Sequence, residues 1–138
     1  MLTWLLAGAL FGISAGAAIA GTASSPKGYY GPIKGWSYWN QATVHTGSPR
    51  IYASTTVSQN GTSNVPSGYM GALARLYKNS ALCASNGYSF NSGPANSLSV
   101  PTLSACGSGT YYSYGATAAY NGNGYSYYYT FKSPSQNG

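Results

Sequence analysis

The side chains that could do acid–base or nucleophilic chemistry in this chain are few. There is one histidine, His45, two cysteines, Cys83 and Cys106, and no aspartate or glutamate anywhere in 138 residues. Two-carboxylate glycoside hydrolysis is therefore excluded. Calcium and magnesium sites lose their best side-chain ligands, and a Ser-His-Asp triad lacks its third member, leaving only an Asn or Gln substitute. A single His cannot build the usual zinc cluster, so no metal or cofactor is expected. His45 sits in the strand-like run 41–46 and reads as an ordinary strand residue ahead of a general base.

The cysteines are not spaced C-x-x-C, and no His or carboxylate lies near either. An even pair in a small exported domain is expected to form a disulfide, Cys83–Cys106. That bond would also remove the free thiol a Cys-His-Asn enzyme needs. The chain therefore reads as a binding or structural protein and not as an enzyme.

What is abundant is tyrosine. Fifteen Tyr, three Trp and three Phe make the chain 15% aromatic. Half-buried Tyr supplies rigid contact area and a hydroxyl at low entropy cost, and surface Tyr and Trp stack on sugar rings. The candidate binding residues are Trp36, Tyr38 and Trp39 near the start of the domain, with Tyr111, Tyr128 and Lys132 near its end. More than half of the tyrosines are expected to be structural, as core residues or cross-strand pairs.

The six cations, Lys27, Lys34, Arg50, Arg75, Lys78 and Lys132, give a net charge of +6 with no internal ion pair between side chains. They are scattered, whereas a nucleic-acid binder needs a dense basic stripe. No nucleic-acid partner is expected. The positive balance implies either mild attraction to anionic surfaces or an aid to solubility only.

The elements that must carry these residues read as strands. Runs rich in aromatic and β-branched residues cover 36–46, 50–59, 69–78, 82–90, 98–103, 110–120 and 125–132, with Gly, Pro and Asn between them. In 69–78, Met70, Ala72, Ala74 and Leu76 share one face, and Tyr69, Leu73, Arg75 and Tyr77 share the other; a helix is the rival reading there. Pro101 marks 98–103 as an edge or irregular strand. Asn121-Gly122-Asn123-Gly124 predicts a hairpin turn. In 125–132, Tyr125, Tyr127, Tyr129 and Phe131 alternate with Ser126, Tyr128, Thr130 and Lys132. Six to seven strands at this spacing predict an all-β, immunoglobulin-like sandwich, with a small β-barrel as the alternative.

Four segments follow. Residues 1–20 are apolar and end on Ala18-Ile19-Ala20, a signal-peptide pattern with cleavage after Ala20 or Ala23. A retained transmembrane anchor is the rival, since about 20 apolar residues can span a bilayer. Residues 21–35 read as a flexible, extended arm with Tyr29, Tyr30 and Ile33 as docking points, or as a plain spacer. Residues 36–132 form the domain, and 133–138 a polar tail. The expected location is extracellular, with no integral membrane span after cleavage. Asn60-Gly61-Thr62 matches a glycosylation sequon, which matters only in a eukaryotic host.

Three stretches carry a resemblance: Val65-Pro66-Ser67-Gly68-Tyr69-Met70-Gly71, Gly107-Ser108-Gly109-Thr110-Tyr111-Tyr112-Ser113-Tyr114-Gly115 and Ala119-Tyr120-Asn121-Gly122-Asn123-Gly124-Tyr125. Over roughly the last half of the chain the sequence resembles uncharacterised small secreted proteins of Streptomyces and related actinobacteria. The resemblance implies an extracellular location and no particular activity. Some such proteins act as adaptors in secreted particles. Two functional readings result. One is a secreted module that binds a protein partner or a cell-surface polymer through exposed Tyr/Trp and scattered cations. The other is a cationic antibacterial or toxin-associated protein, including an adaptor subunit.

Overall fold

The computed structural model describes residues 21–47, 49–102 and 106–138. The expected signal peptide, residues 1–20, lies outside the described residues. Among those described there are no helices. They form strands β1 (Thr22–Ser24), β2 (Gly28–Ile33), β3 (Trp36–His45), β4 (Tyr52–Gln59), β5 (Met70–Leu73), β6 (Arg75–Lys78), β7 (Ala81–Ser85), β8 (Ser89–Phe90), β9 (Ser97–Pro101), β10 (Thr110–Ser113), β11 (Ala116–Tyr120), β12 (Tyr125–Tyr129) and β13 (Gln136–Asn137). These make three antiparallel sheets, and none closes into the barrel held as the alternative.

The first sheet runs β1-β3-β4-β9, with β2 also on β3. The other two run β13-β10-β6-β7 and β12-β11-β5-β8. They are in effect one layer with a crease. The strand-like run 69–78 continues from β5 into β6 past Ala74, and the run 110–120 passes from β10 to β11 through Tyr114 and Gly115. At the crease the regular ladders give way to single bonds. The Tyr114 N–H donates to the Arg75 carbonyl (3.2 Å), the Thr130 N–H donates to the Gly115 carbonyl (3.0 Å), and the Asn86 amide oxygen accepts from Ala74 N–H (3.2 Å). This is why the runs 69–78 and 110–120 each appear as two strands; with 82–90 also divided and strands in 21–35 and 133–138, thirteen short segments stand where six to seven longer ones were expected.

The first sheet packs on both halves of the creased layer. Below the crease, Tyr38, Val57 and Val100 meet Val65, Met70, Ala72 and Ala119. Above it, Val44 and Ala53 meet Leu76 and Tyr111. Between the clusters lies a waist of small buried residues, Ala42, Thr55, Ala74 and Ser113. There Gly115 presses so closely that a Cβ would sit 2.8 Å from the Leu73 carbonyl oxygen and against Thr55 Oγ1. The predicted alternation of 69–78 holds, and the face shared by Met70, Ala72, Ala74 and Leu76 is the inner one, all four being fully buried. The predicted hairpin holds too, with Tyr120 opposite Tyr125 and Gly122 at φ +94°. Pro101 ends β9, an edge strand, where a missing N–H costs no ladder bond.

Two segments differ from expectation. Residues 21–35 are extended but built into the first sheet. β1 pairs with Thr43–His45, and β2 pairs with Trp36–Asn40 through a bulge. Tyr30 supplies the reason. Its ring stacks on Tyr128 (4.1 Å) and Tyr38 (5.6 Å), and its hydroxyl lies 2.7 Å from Thr117 Oγ1. Asn40, also buried, donates to the same Thr117 oxygen at 2.9 Å. The polar tail likewise carries β13, which pairs with β10 and buries Gln136, while Ser133 Oγ accepts from Ser113 N–H at 2.8 Å. Polar side chains that satisfy buried backbone groups can hold such a segment without an apolar stripe.

Candidate functional site

The outer face of the creased layer carries a string of aromatic rings, of which Tyr127 and Tyr129 are mostly exposed. Strand alternation puts Tyr77, Tyr112, Tyr114, Tyr127 and Tyr129 outward, because their neighbours Leu76, Tyr111, Ser113 and Thr130 point in. Tyr112 stacks on Tyr77 (5.0 Å, 4° between planes), Tyr77 meets Tyr114 (6.4 Å), and Tyr114 stacks on Tyr129 (5.7 Å). A second string runs Tyr127–Tyr88–Phe90–Tyr125–Tyr120–Tyr69, with centroid spacings of 5.4, 6.1, 4.7, 5.9 and 5.0 Å. Its floor is made of small residues. Gly71 lies directly under the Phe90 ring, and Ala118 is wholly covered although it faces outward.

Two cations are set into this face. The Arg75 guanidinium carbon lies 5.3 Å from the centroids of both Tyr114 and Tyr129, and its Nε donates to the Tyr114 carbonyl at 3.0 Å. Lys132 Nζ lies 5.5 Å from the Tyr112 and Tyr114 rings. Attraction of a cation to the ring quadrupole holds such groups in place without any carboxylate. Arg75 Nη2 is buried with no hydrogen-bond partner among the described residues. The rims stay accessible: Tyr127 is 62% and Tyr129 67% exposed.

The residues proposed from sequence divide. Tyr38 and Tyr111 are fully buried and serve the core. Burial, and secondarily the nearby Tyr69 hydroxyl, pushes the Tyr38 hydroxyl up to about 12. The Tyr111 hydroxyl accepts from Cys106 N–H and donates to the Gly107 carbonyl. Trp36, Tyr30 and Ile33 pack half-buried against the lower cluster, and Tyr128 is stacked beneath Tyr30. Burial pushes the Tyr30 hydroxyl well above its ordinary range. Trp39 and Tyr29 do face outward, on the opposite side of the molecule, with Lys27 Nζ 4.3 Å over the Trp39 ring. Lys132 alone of the six lies in the aromatic face. Sequence reasoning missed Arg75, Tyr77, Tyr88, Tyr112, Tyr114, Tyr127 and Tyr129 as site residues. The available signal was the odd-numbered Tyr set of 125–132, which shares one side of a strand.

Cys83 and Cys106 are bonded, as expected. His45 stands apart from the aromatic face. Its ring stacks on Tyr52 (4.1 Å), with Nε2 3.2 Å from Ser54 Oγ and Nδ1 3.4 Å from Thr22 Oγ1. It borders an open pocket of about 300 Å³ with Thr22, Pro49, Arg50 and Tyr52. A His next to a hydroxyl is half of a nucleophile–base pair, but no carboxylate exists here to orient it. Among the described residues no group of three His or Cys could hold a metal ion.

Burial lowers the His45 pKa, and the positive Arg50 adds to the effect. The folded protein therefore holds this proton less tightly than the unfolded chain does. Stability is full above the unfolded value near 6.5 and falls as pH drops below it. His45 is the one histidine, the chain has no Asp or Glu, and both cysteines are bonded, so the effect is isolated. Thermal melts from pH 8 to pH 4.5 are expected to show the midpoint falling through a single step below about pH 6.5. His45→Gln should flatten that step, and a step unchanged in the variant would assign it elsewhere.

No family model, curated protein or solved structure matches this chain.

Proposed function

We propose that this protein is a secreted, non-enzymatic binding module whose working surface is the outer aromatic face of the creased layer. The observation that supports this reading most is the placement of Tyr112, Tyr77, Tyr114, Tyr129, Tyr127 and Tyr88 beside one another on the outside. Monomeric proteins rarely leave a contiguous patch of this kind uncovered without a use for it. Tyr and Arg are also the residues that dominate binding hot spots. The disulfide fits an oxidising, extracellular compartment, as does the resemblance to small secreted actinobacterial proteins. Architecturally we read the three sheets as a two-layer sandwich, immunoglobulin-like in its packed antiparallel faces.

The test is retention on isolated cell walls and on proteins of the culture supernatant. Tyr127→Ser/Tyr129→Ser should weaken retention by about tenfold or more, because two exposed rings are lost from a contact surface. Both side chains are mostly exposed, so the melting temperature should hardly move. Undiminished retention would overturn this choice of face. The absence of any acidic residue favours a second reading, a cationic protein acting on anionic envelopes. Growth inhibition of neighbouring strains at micromolar protein would support it.

A further inference from the structure

We infer that the ligand of the aromatic face is an acidic polysaccharide, which stacks its sugar rings on the tyrosines and presents its anionic groups to Lys132 and Arg75. The inference rests on the binding-face reading above and narrows it to one class of ligand.

Three observations carry it. The first concerns the backbone. β11 is paired on both sides, by β12 and β5, and β6 by β10 and β7. Away from the rim strands β12, β8, β13 and β7, a peptide cannot add to this face as a strand, because the main-chain groups that strand addition uses are already taken. The face offers only rings, hydroxyls and cations.

The second is charge. Arg75 and Lys132 share the Tyr114 ring, and the chain has no carboxylate to neutralise either. A second copy of this chain would bring like charges together with nothing to compensate them, which disfavours self-association through this face. An anionic polymer supplies what is missing, and a guanidinium fork and an ammonium both favour carboxylate or phosphate oxygens. Two cations are too few to carry binding by phosphate neutralisation alone, which sets nucleic acid behind a sugar polymer.

The third is the hydroxyls. The fold itself uses those of Tyr30, Tyr111 and Tyr125 in hydrogen bonds. Among the described residues it draws on none of those of Tyr77, Tyr112, Tyr114, Tyr127 and Tyr129. Each can both donate and accept, which suits the hydroxyl-rich edges of a sugar chain lying along the layer.

The experiment measures affinity of the folded protein at low and moderate salt for four soluble probes: polygalacturonate, dextran, polyglutamate and an oligothymidylate. Polygalacturonate is expected to bind tightest, dextran several-fold to tenfold weaker. Lys132→Gln should weaken polygalacturonate several-fold, while Lys27→Gln, the same charge change on the opposite side of the molecule, should not. Tyr127→Ser/Tyr129→Ser should cut polygalacturonate binding by about tenfold and leave polyglutamate binding unchanged, since only the sugar polymer stacks. Equal affinity for polyglutamate and polygalacturonate, both indifferent to the Tyr pair, would overturn the inference, as would tighter binding of the oligothymidylate. If the Tyr pair still abolishes cell-wall retention and polygalacturonate does not compete, the ligand class is wrong and the face is right. If the pair leaves wall retention intact, the face itself is wrong.

Discussion

Replacing both cysteines, Cys83→Ala/Cys106→Ala, is expected to cost about 3.4 kcal/mol of stability, since the bond closes a loop of about 24 residues in the unfolded chain. The loss should appear as a drop in melting temperature on the order of 10 °C. The location makes the bond matter. Cys83 lies on β7, at the edge of the upper half of the creased layer, and packs half-buried against the upper cluster. That cluster has only four fully buried members, two of them the modest Val44 and Ala53. Cys106 stands at the entry to β10, where its backbone N–H meets the Tyr111 hydroxyl and its carbonyl accepts from Lys78 Nζ at 2.7 Å. The chain between them contributes β8 to one sheet and β9 to another, so the single link restrains three sheets at once. Denaturant unfolding of oxidised, reduced and double-variant protein measures it. A difference under about 1 kcal/mol would show that the unfolded chain is already restrained without the bond.

Gly115→Ala should be nearly as damaging, at about 3 kcal/mol, by overpacking the waist. The added methyl carbon would lie 2.8 Å from the Leu73 carbonyl oxygen and closer still to Thr55 Oγ1. Neither can yield: Leu73 is fixed in its ladder with Ala116, and Thr55 is fully buried. Gly87→Ala, where nothing lies within 4 Å of the new carbon, is the control and should be close to neutral. Thr55→Ala in the Gly115→Ala background should recover part of the loss, because it removes the nearer obstruction and a buried hydroxyl that has no partner among the described residues. Double-mutant melts would show this as a coupling of opposite sign to the single effects. Additive losses would mean that the Leu73 carbonyl alone sets the cost.

How far the sequence could be read depended on whether alternation had a unique solution. In 69–78 only one phase is apolar and small, and the face that alternation gave Met70, Ala72, Ala74 and Leu76 is the buried one. In 125–132 both phases carry tyrosine, and a period of two says only that two faces exist. The choice between them is made far back along the chain, where Tyr30 arrives from β2 to meet Thr117 and stack on Tyr128. The same long-range contact turns a Gly/Pro-rich lead-in into sheet structure, which local composition cannot reveal. The disulfide was legible because only one pairing exists. The crease was not, because a single Gly115 inside 110–120 signals a bend or close approach without saying which, and Ala74 gives no signal; the crease arises where Gly115 lets two layers approach.

That crease also divides the molecule's resistance to opening. The upper and lower clusters share no buried member, and the waist between them holds small and polar side chains with little apolar area to lose. Cooperative unfolding units follow such boundaries. Parting of β7, β10 and β13 from Val44 and Ala53 can stop at Gly115 while Tyr38, Met70 and Val100 stay dry. The broad aromatic side chains of β12 and β8 stand on the lower, better-filled unit. The proposed binding face thus straddles the boundary: Tyr127 and Tyr129 stand on the unit that opens last, and Arg75, Tyr77 and Tyr112 on the one that opens first.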